Sequence, residues 1–408
     1  MCIRDRNYPK GAEALLIALQ TPSPKGTLGI PVLLWGKPGV GKSSFLEGLS
    51  KEQFPVITLI ASISDPTDYS GLPVHQNGKV HYAVPEWVDQ FGENGDGLLF
   101  LDELSTAPPA IQAALLRVVL ERKVGFHSLP DNVRIVAAAN PPDMIMGGYE
   151  LTPPLSNRFV HLEWDLPANV YIDALERGFP EVNLPAVTRE AHAKALPHWK
   201  LLVAAFLKRS PNLVYTSPET DKYAFATPRT WDFTASLLAS CDILGIAPKR
   251  GQRAGTACLE LIKGTIGEGV AIPFLEFLNS LRLADPVAVL DGLEKPNMHK
   301  LNDSEIFVLF GSLNQVLKDR MPDSDFHNSA LTYFDLVQQV IRVNRRDLIF
   351  VSLKEMVATK DNSKNLLLNA QRSAQDTSPE VHQEVMKKIN HLFEQKGLVE
   401  FIDVLIPK

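Results

Sequence analysis

Two stretches of this chain have the residue types and spacing to handle a phosphate chain. The first is Gly36-Lys37-Pro38-Gly39-Val40-Gly41-Lys42-Ser43, which fits G-x-x-x-x-G-K-[ST] and lies between an apolar run and a helix-forming run. Its glycines let backbone N–H groups turn inward around phosphate oxygens, and a helix opening near Lys42 adds the positive end of its dipole. Lys42 brings a mobile charge to the β and γ phosphates, the Ser43 hydroxyl can ligate magnesium, and Ser44 follows as a further nucleotide contact. The second stretch is the apolar run 98–101 ending in Asp102-Glu103. A buried strand there carries both acids to the carboxyl edge of a sheet, the edge that presents the glycine loop. Asp102 is then placed to hold magnesium through water, and Glu103 to orient and deprotonate an attacking water. An Asp-Glu pair is more often a solvated helix cap. Standing 60 residues after Lys42 on a strand of its own, it favours hydrolysis of a nucleoside triphosphate over transfer to another acceptor.

Three single residues stand where such a site needs further help. Asn140 ends the apolar run 135–139 and precedes Pro141-Pro142. It either shapes a turn or touches the γ-phosphate or the lytic water from the neighbouring strand end. Arg158, in Pro154-Leu155-Ser156-Asn157-Arg158-Phe159, is either a solvated charge or an arginine finger acting in trans. Arg229 follows Pro228, and by itself needs no role beyond opening a helix. Their order along the chain, after the loop and the acid pair, is the signal.

Positioning these groups takes an alternating fold. Residues 12–20 pattern as a helix that Pro22, Pro24 and Gly26 break. Strand 31–35, the glycine loop, helix 42–50 and strand 55–61 follow, then an insertion, strand 97–101, helix 108–122 and strand 133–139. Continuous apolar runs separated by helices predict an α/β fold: a P-loop αβα parallel-sheet core over residues 1–166. Helix 108–122 has Ser105 or Thr106 to cap it, Pro108 and Pro109 in its first turn, and Ile111, Leu115, Val118 and Val119 on one face. Two hairpins interrupt the alternation. One, over 74–82, turns at Asn77-Gly78; the other runs from 124–126 to 133–135 around Pro130-Asp131-Asn132. Both patterns also suit ordinary surface hairpins. Past about residue 166, helical patterns take over at 186–208, 229–244, 253–266, 270–283, 304–319, 328–341, 346–358 and 380–396. They predict an all-α lid at 167–290 and an all-α C-terminal region at 291–408.

Composition narrows the partners. The 408 residues are 45% hydrophobic and 22% charged, with a formal net charge of −6, so nucleic-acid phosphates are not the expected main ligand. No apolar run reaches the roughly 18–20 residues that span a bilayer. The N-terminus carries charge with no apolar stretch after it, which argues against a secretory signal and predicts a cytoplasmic protein. Cys2, Cys241 and Cys258 are too scattered for a disulfide framework or zinc site. The ten histidines have no metal spacing; His192 and His198 are six apart.

Taken together these stretches resemble the AAA+ ATPases, and within them the MoxR-type group that inserts a hairpin after its second helix. The resemblance rests on residues 36–43 (Walker A), 98–103 (Walker B), Ala138-Ala139-Asn140-Pro141 (sensor 1), 155–159 (arginine finger) and Thr227-Pro228-Arg229 (sensor 2). It extends to 65–73 and 112–123 and covers about residues 30–245. It implies ATP and Mg2+ as ligands and a homo-oligomer, most often a hexameric ring, in which Arg158 enters the neighbouring subunit's site. Arg229 would sense the γ-phosphate from the lid. Hairpin 74–82 resembles the helix-two insert and hairpin 124–135 the pre-sensor hairpin, both facing the ring's pore or a client. MoxR-type proteins are similar in role to chaperones, remodelling a client protein and often pairing with a von Willebrand factor A domain partner. Asn157 departs from the pattern, since many relatives carry an acid there. The resemblance assigns no role to residues 291–408, which leaves them for client recognition.

The expected function is therefore ATP hydrolysis in a ring that remodels a client, with Glu103 as base, magnesium on Ser43 and Asp102, and Lys42 and Arg158 neutralising developing charge. Two other classes stay open: a nucleic-acid motor, which would show stimulation by DNA, and a nucleotide-gated scaffold with little turnover.

Overall fold

The computed structural model describes residues 8–91, 95–141, 144, 149–179, 181–218, 223–249, 252–357, 363 and 365–394. Cys2, Pro142 and the end of the last expected helix, at 395–396, lie outside these residues. The chain divides into two compact units, Met1–Trp199 with Ser210–Asn279, and Lys200–Arg209 with Ser280–Lys408.

The first unit is built on five strands. After α1 (Ala12–Gln20) come β1 (Val32–Trp35), α2 (Lys42–Glu47), β2 (Val56–Ile60) and the single turn α3 (Thr67–Ser70). An exposed hairpin, β3 (Leu72–Gln76) and β4 (Lys79–Ala83), precedes β5 (Gly97–Asp102) and α4 (Pro109–Glu121). A second hairpin, β6 (Lys123–Val124) and β7 (His127–Ser128), leads to β8 (Val133–Ala139), the short α5 (Pro153–Ser156) and β9 (Val160–Glu163). The sheet order is β2-β5-β8-β1-β9, and each neighbouring pair runs parallel. Burial on both faces explains why β8 and the apolar part of β5 read as continuous apolar runs: all of β8 is buried, as is β5 up to Leu101. Even Arg134 is buried in β8. It is tied down by the Leu19 and Asn132 carbonyls and by Asp96.

Parallel strands present all their carboxyl ends at one edge. The glycine loop after Trp35, the acid pair after Leu101 and Asn140 after Ala139 share that edge by topology alone. The strand β9 was not expected, because four residues reading Val-His-Leu-Glu carry too little apolar signal.

Two expectations at this stage need correction. The second hairpin does not fold 124–126 onto 133–135; it pairs Lys123–Val124 with His127–Ser128 around Gly125 and Phe126. Gly125, at φ 58°, supplies the turn, and Val133 instead opens the central strand β8. Nor do Ser105 and Thr106 cap α4, which begins after Pro108 without a side-chain cap. Ser105 serves the site described below, and the Thr106 hydroxyl donates to the Glu103 carbonyl.

The unit continues with α6 (Ala168–Arg177), the first part of α7 (Arg189–Arg209), α8 (Pro228–Ile243), α9 (Thr256–Ile266) and α10 (Glu268–Ser280). Thr227 and Thr230 form a reciprocal capping box that starts α8. The Thr21 hydroxyl, just past α1, donates to Ser240 of α8 at 2.8 Å. Gly264 of α9 lies so close to β9 that a Cβ there would come 2.1 Å from the His161 carbonyl oxygen. Helices therefore cover the β9 edge.

The second unit is helical: α11 (Pro286–Leu290), α12 (Asp303–Arg320), α13 (Phe326–Arg342), α14 (Phe350–Val357), α15 (Leu366–Thr377) and α16 (Pro379–Glu394). Its core gathers Phe310, Tyr333, Phe334 and Met356. Asn302 and Glu305 box the start of α12, and the buried Tyr333 hydroxyl donates to Asn314 at 3.0 Å.

Candidate nucleotide site

The loop's shape follows from its glycines. Gly39 and Gly41 both sit at φ 78°, where a side chain is strained, and such alternation turns backbone N–H groups to one side. Gly36 is needed for space instead: a Cβ there would come 2.6 Å from the Trp164 carbonyl oxygen.

Lys42 is buried, and its ammonium donates to the Gly36 carbonyl, to the Lys37 carbonyl at 3.0 Å and to Asn140 Oδ1 at 3.4 Å. Burial lowers its pKa, and the Asp102 charge partly opposes that. The cation's hydrogen bonds all go to carbonyl oxygens, contacts that a phosphate can replace.

Ser43 Oγ donates to Asp102 Oδ2 at 2.9 Å. Two hard oxygens at that separation match one edge of the small octahedron that Mg2+ requires, about 2.9 Å at metal–oxygen distances near 2.1 Å. The donor set fits the ion.

Glu103 is exposed and left-handed, at φ 56° and ψ 37°, which costs a non-glycine residue roughly 1 kcal/mol or more. That turn aims its carboxylate off the strand end and lets its N–H donate to Asp102 Oδ1 at 2.8 Å. Its Oε2 accepts a hydrogen bond from the Ser62 hydroxyl. Asn140 is set in place by its N–H donating to Ser105 Oγ at 3.2 Å. Together the loop from Pro38 to Ser44, Asp102, Glu103 and Asn140 line one cavity of about 290 Å³.

Arg158 and Arg229 do not line that cavity. Arg158 precedes β9, whose first residue Val160 pairs with Val32 while its last, Glu163, pairs with Trp35. It therefore sits beyond the amino end of strands whose carboxyl ends carry the loop, on the order of 13 Å away along four residues. Arg229 joins it there: it donates to Asn157 Oδ1 at 3.2 Å, and the Thr227 hydroxyl donates to the same oxygen at 3.0 Å. The two guanidiniums repel. Burial and then Arg229 lower the Arg158 pKa. Arg158 donates to the Pro154 carbonyl, while its buried Nε has no partner. Asn157, neutral where an acid would pair off the charge, leaves both arginines available to an anion.

Residues 15–146 match the Sigma-54 interaction domain family. The Psp operon transcriptional activator of Escherichia coli is 37% identical over 138 residues, 32% of this chain and 42% of its own length. The Nif-specific regulatory protein of Rhizobium meliloti is 32% identical over 136 residues, 31% of this chain and 25% of its own. The chain thus spans less than half the length of either relative. Among solved structures, a full-length MCM homologue from Methanopyrus kandleri aligns over 65% of this chain and 55% of its own, at TM-score 0.36 and 18% identity. Over residues 15–146 the P-loop core is similar to the Sigma-54 interaction domain.

This core contains two polar residues whose roles the sequence does not show. Ser62 lies two residues beyond β2, whose Ile60 pairs with Asp102; a hydroxyl just past the strand beside the acid pair was the available signal. The place of Ser105 in the sequence suits a helix cap, and only the fold brings it under Asn140.

No helix among the described residues is long and apolar enough to cross a membrane.

Proposed function

We propose that the chain hydrolyses ATP as a ring of identical subunits and uses the resulting motion to remodel a client protein in the cytoplasm, as a MoxR-type AAA+ ATPase. The observation that carries this reading is the separation of one site into two halves. Lys42, Ser43, Asp102, Glu103 and Asn140 share one cavity, while Arg158 and Arg229 stand together at the opposite end of the sheet.

In the proposed reaction the loop N–H groups and Lys42 bind the phosphates, and Ser43 and Asp102 hold Mg2+, which neutralises charge on the β and γ oxygens when bound. Glu103 takes the proton of the attacking water, and Asn140 orients the water or the γ-phosphate. Arg158 and Arg229 of a neighbouring subunit together stabilise the charge that develops on the transferred group.

The exposed hairpins favour a protein client. Tyr82 packs on Phe126 with ring centroids 5.4 Å apart, so the insert and the pre-sensor hairpin present one apolar surface, with Val80 on the same face as Tyr82. Residues 167–290 serve as the lid, and 291–408 are available for the client or for a von Willebrand factor A domain partner.

The deciding experiment measures phosphate release from ATP and from GTP, for wild type beside Glu103→Gln, at concentrations that span assembly. ATP-selective turnover that rises steeply with concentration and vanishes in the variant is expected. Turnover that is independent of concentration would sink the ring.

A second reading is a sigma-54-dependent transcriptional activator, favoured by the family matched at 15–146 and by the relatives' names. It predicts ATP-dependent capture of sigma-54 by the purified chain and stimulation by promoter DNA; the first reading predicts neither.

A further inference from the structure

A second cavity, of about 370 Å³, opens within the helical second unit and is larger than the 290 Å³ of the nucleotide cavity. One wall is the end of α13, from Gln339 to Val343; the other is the segment 295–299 that joins α11 to α12. Lys295 and Arg342 bring two positive charges to it, and no aspartate or glutamate lines it. Among the described residues neither cation makes a hydrogen bond or an ion pair. The acids that flank the segment are engaged elsewhere: Asp303 accepts from Arg345 at 2.5 Å, and Glu294 accepts the Asp285 N–H at 2.9 Å. Like charges around one hollow repel, and a hollow of one sign gathers counter-ions.

Both walls are fixed. Arg345 donates to the Met298 carbonyl at 3.2 Å and to the Leu301 carbonyl at 2.6 Å, which clamps the segment against the end of α13. That end closes on Asn344, left-handed at φ 57°. The N–H groups of Val343, Asn344 and Arg345 donate to the carbonyls of Gln339, Ile341 and Val340. With those carbonyls satisfied, the negative end of the helix offsets the two cations only in part. Asn297 Oδ1 accepts the His299 N–H at 3.0 Å, so the amide groups of Asn297 and Gln339 keep their own N–H donors for a ligand. Met298, 1% exposed, supplies apolar ground with Pro296.

A guanidinium fork, an ammonium and two carboxamides are the donors a phosphate takes, and its charge of nearly two at neutral pH matches Lys295 with Arg342. The volume exceeds what a phosphate group fills and falls within the range of about 300–1,000 Å³ that small-molecule pockets occupy. We propose that this cavity binds a small organic phosphate monoester, its phosphate on Arg342 and Lys295 and its organic part against Pro296 and Met298. Such a site needs neither ATP hydrolysis nor assembly.

Calorimetric titration of the full chain with phenyl phosphate tests it. The glycine loop also accepts phosphates, so the same titration is made on Lys42→Ala, which removes that loop's cation; one saturable site should remain, with its affinity unchanged. Lys295 and Arg342 are exposed, so Lys295→Gln and Arg342→Ala, each combined with Lys42→Ala, should keep the melting temperature of Lys42→Ala. Each should weaken phenyl phosphate binding by about tenfold or more, as the loss of a charge-assisted bond requires. Absence of saturable binding to Lys42→Ala up to about 10 mM, past the weakest specific affinities, would overturn the site. Binding that both substitutions leave unchanged would do the same. A phosphoserine peptide that binds about tenfold tighter than phenyl phosphate, and loses that affinity in Arg342→Ala, would overturn the small-molecule assignment in favour of a phosphorylated protein.

Discussion

The Ser62 hydroxyl donates to the Glu103 carboxylate across the gap between the ends of β2 and β5. It occupies one of the two oxygens that could accept from an attacking water. Ser62→Ala should therefore raise basal ATP turnover, by roughly 2- to 10-fold if one hydrogen bond of about 0.5–1.5 kcal/mol is released. Steady-state phosphate release at saturating ATP reads this directly. Unchanged or lower turnover would mean that the serine aims the base rather than restraining it.

Arg229 should matter to turnover and not to nucleotide capture by the isolated subunit, because it bonds to Asn157 and not to the cavity. Arg229→Ala is expected to lower the rate of the assembled protein by about 10-fold or more and to leave ATP affinity of the dilute chain unchanged. A large loss of affinity at concentrations below assembly would place Arg229 over its own subunit's nucleotide.

The magnesium dependence should respond to Ser43. Its hydroxyl and Asp102 supply the two adjacent hard oxygens, so Ser43→Ala should raise the Mg2+ concentration for half-maximal turnover by about tenfold or more. Titration of turnover with MgCl2 at fixed ATP measures it; an unshifted midpoint would remove Ser43 from the ion.

Acid should loosen the sheet at β9. His161 is buried there; Trp35 donates to its Nδ1 at 2.9 Å, so its Nε2 carries the hydrogen and donates to the Ser156 carbonyl at 3.0 Å. Burial pushes its pKa down to about 4, with the bond to Ser156 opposing. The unfolded chain binds this proton below pH 6.5 and the folded one only below about 4. The contribution to stability is thus whole above 6.5 and falls as the pH drops from there toward 4, by at most roughly 3 kcal/mol at 1.4 kcal/mol per unit. Melting temperatures of wild type and His161→Phe across that window should converge toward low pH. Parallel curves would show that another group governs the acid response.

Glycine, lysine and acid patterns were legible because each is local: the loop's conformation and the strand-end placement of Asp102 need only their neighbours in sequence. The parallel sheet was legible from fully buried apolar strands. The edge strand β9 was not, since Glu163 faces water and only four residues pair. Nor was α6, where Tyr171, Ile172 and Leu175 are exposed and blur the pattern of a buried face. The second hairpin was misread because Pro130-Asp131-Asn132 is a stronger turn signal than Gly125-Phe126, although it is a loop leading into β8. The links from Ser62 to Glu103 and from Arg229 to Asn157 join residues 41 and 72 positions apart, and no spacing rule encodes them.

Trp35 stands one peptide bond before Gly36, its indole N–H fixed on His161 and its ring stacked on Tyr223 with centroids 3.8 Å apart. A nucleotide that moved the loop would act through that bond on an indole held against a tyrosine and an imidazole, both of which alter its emission. The chain therefore carries a fluorophore one residue before the phosphate cradle, and emission offers a way to follow occupancy with no added label.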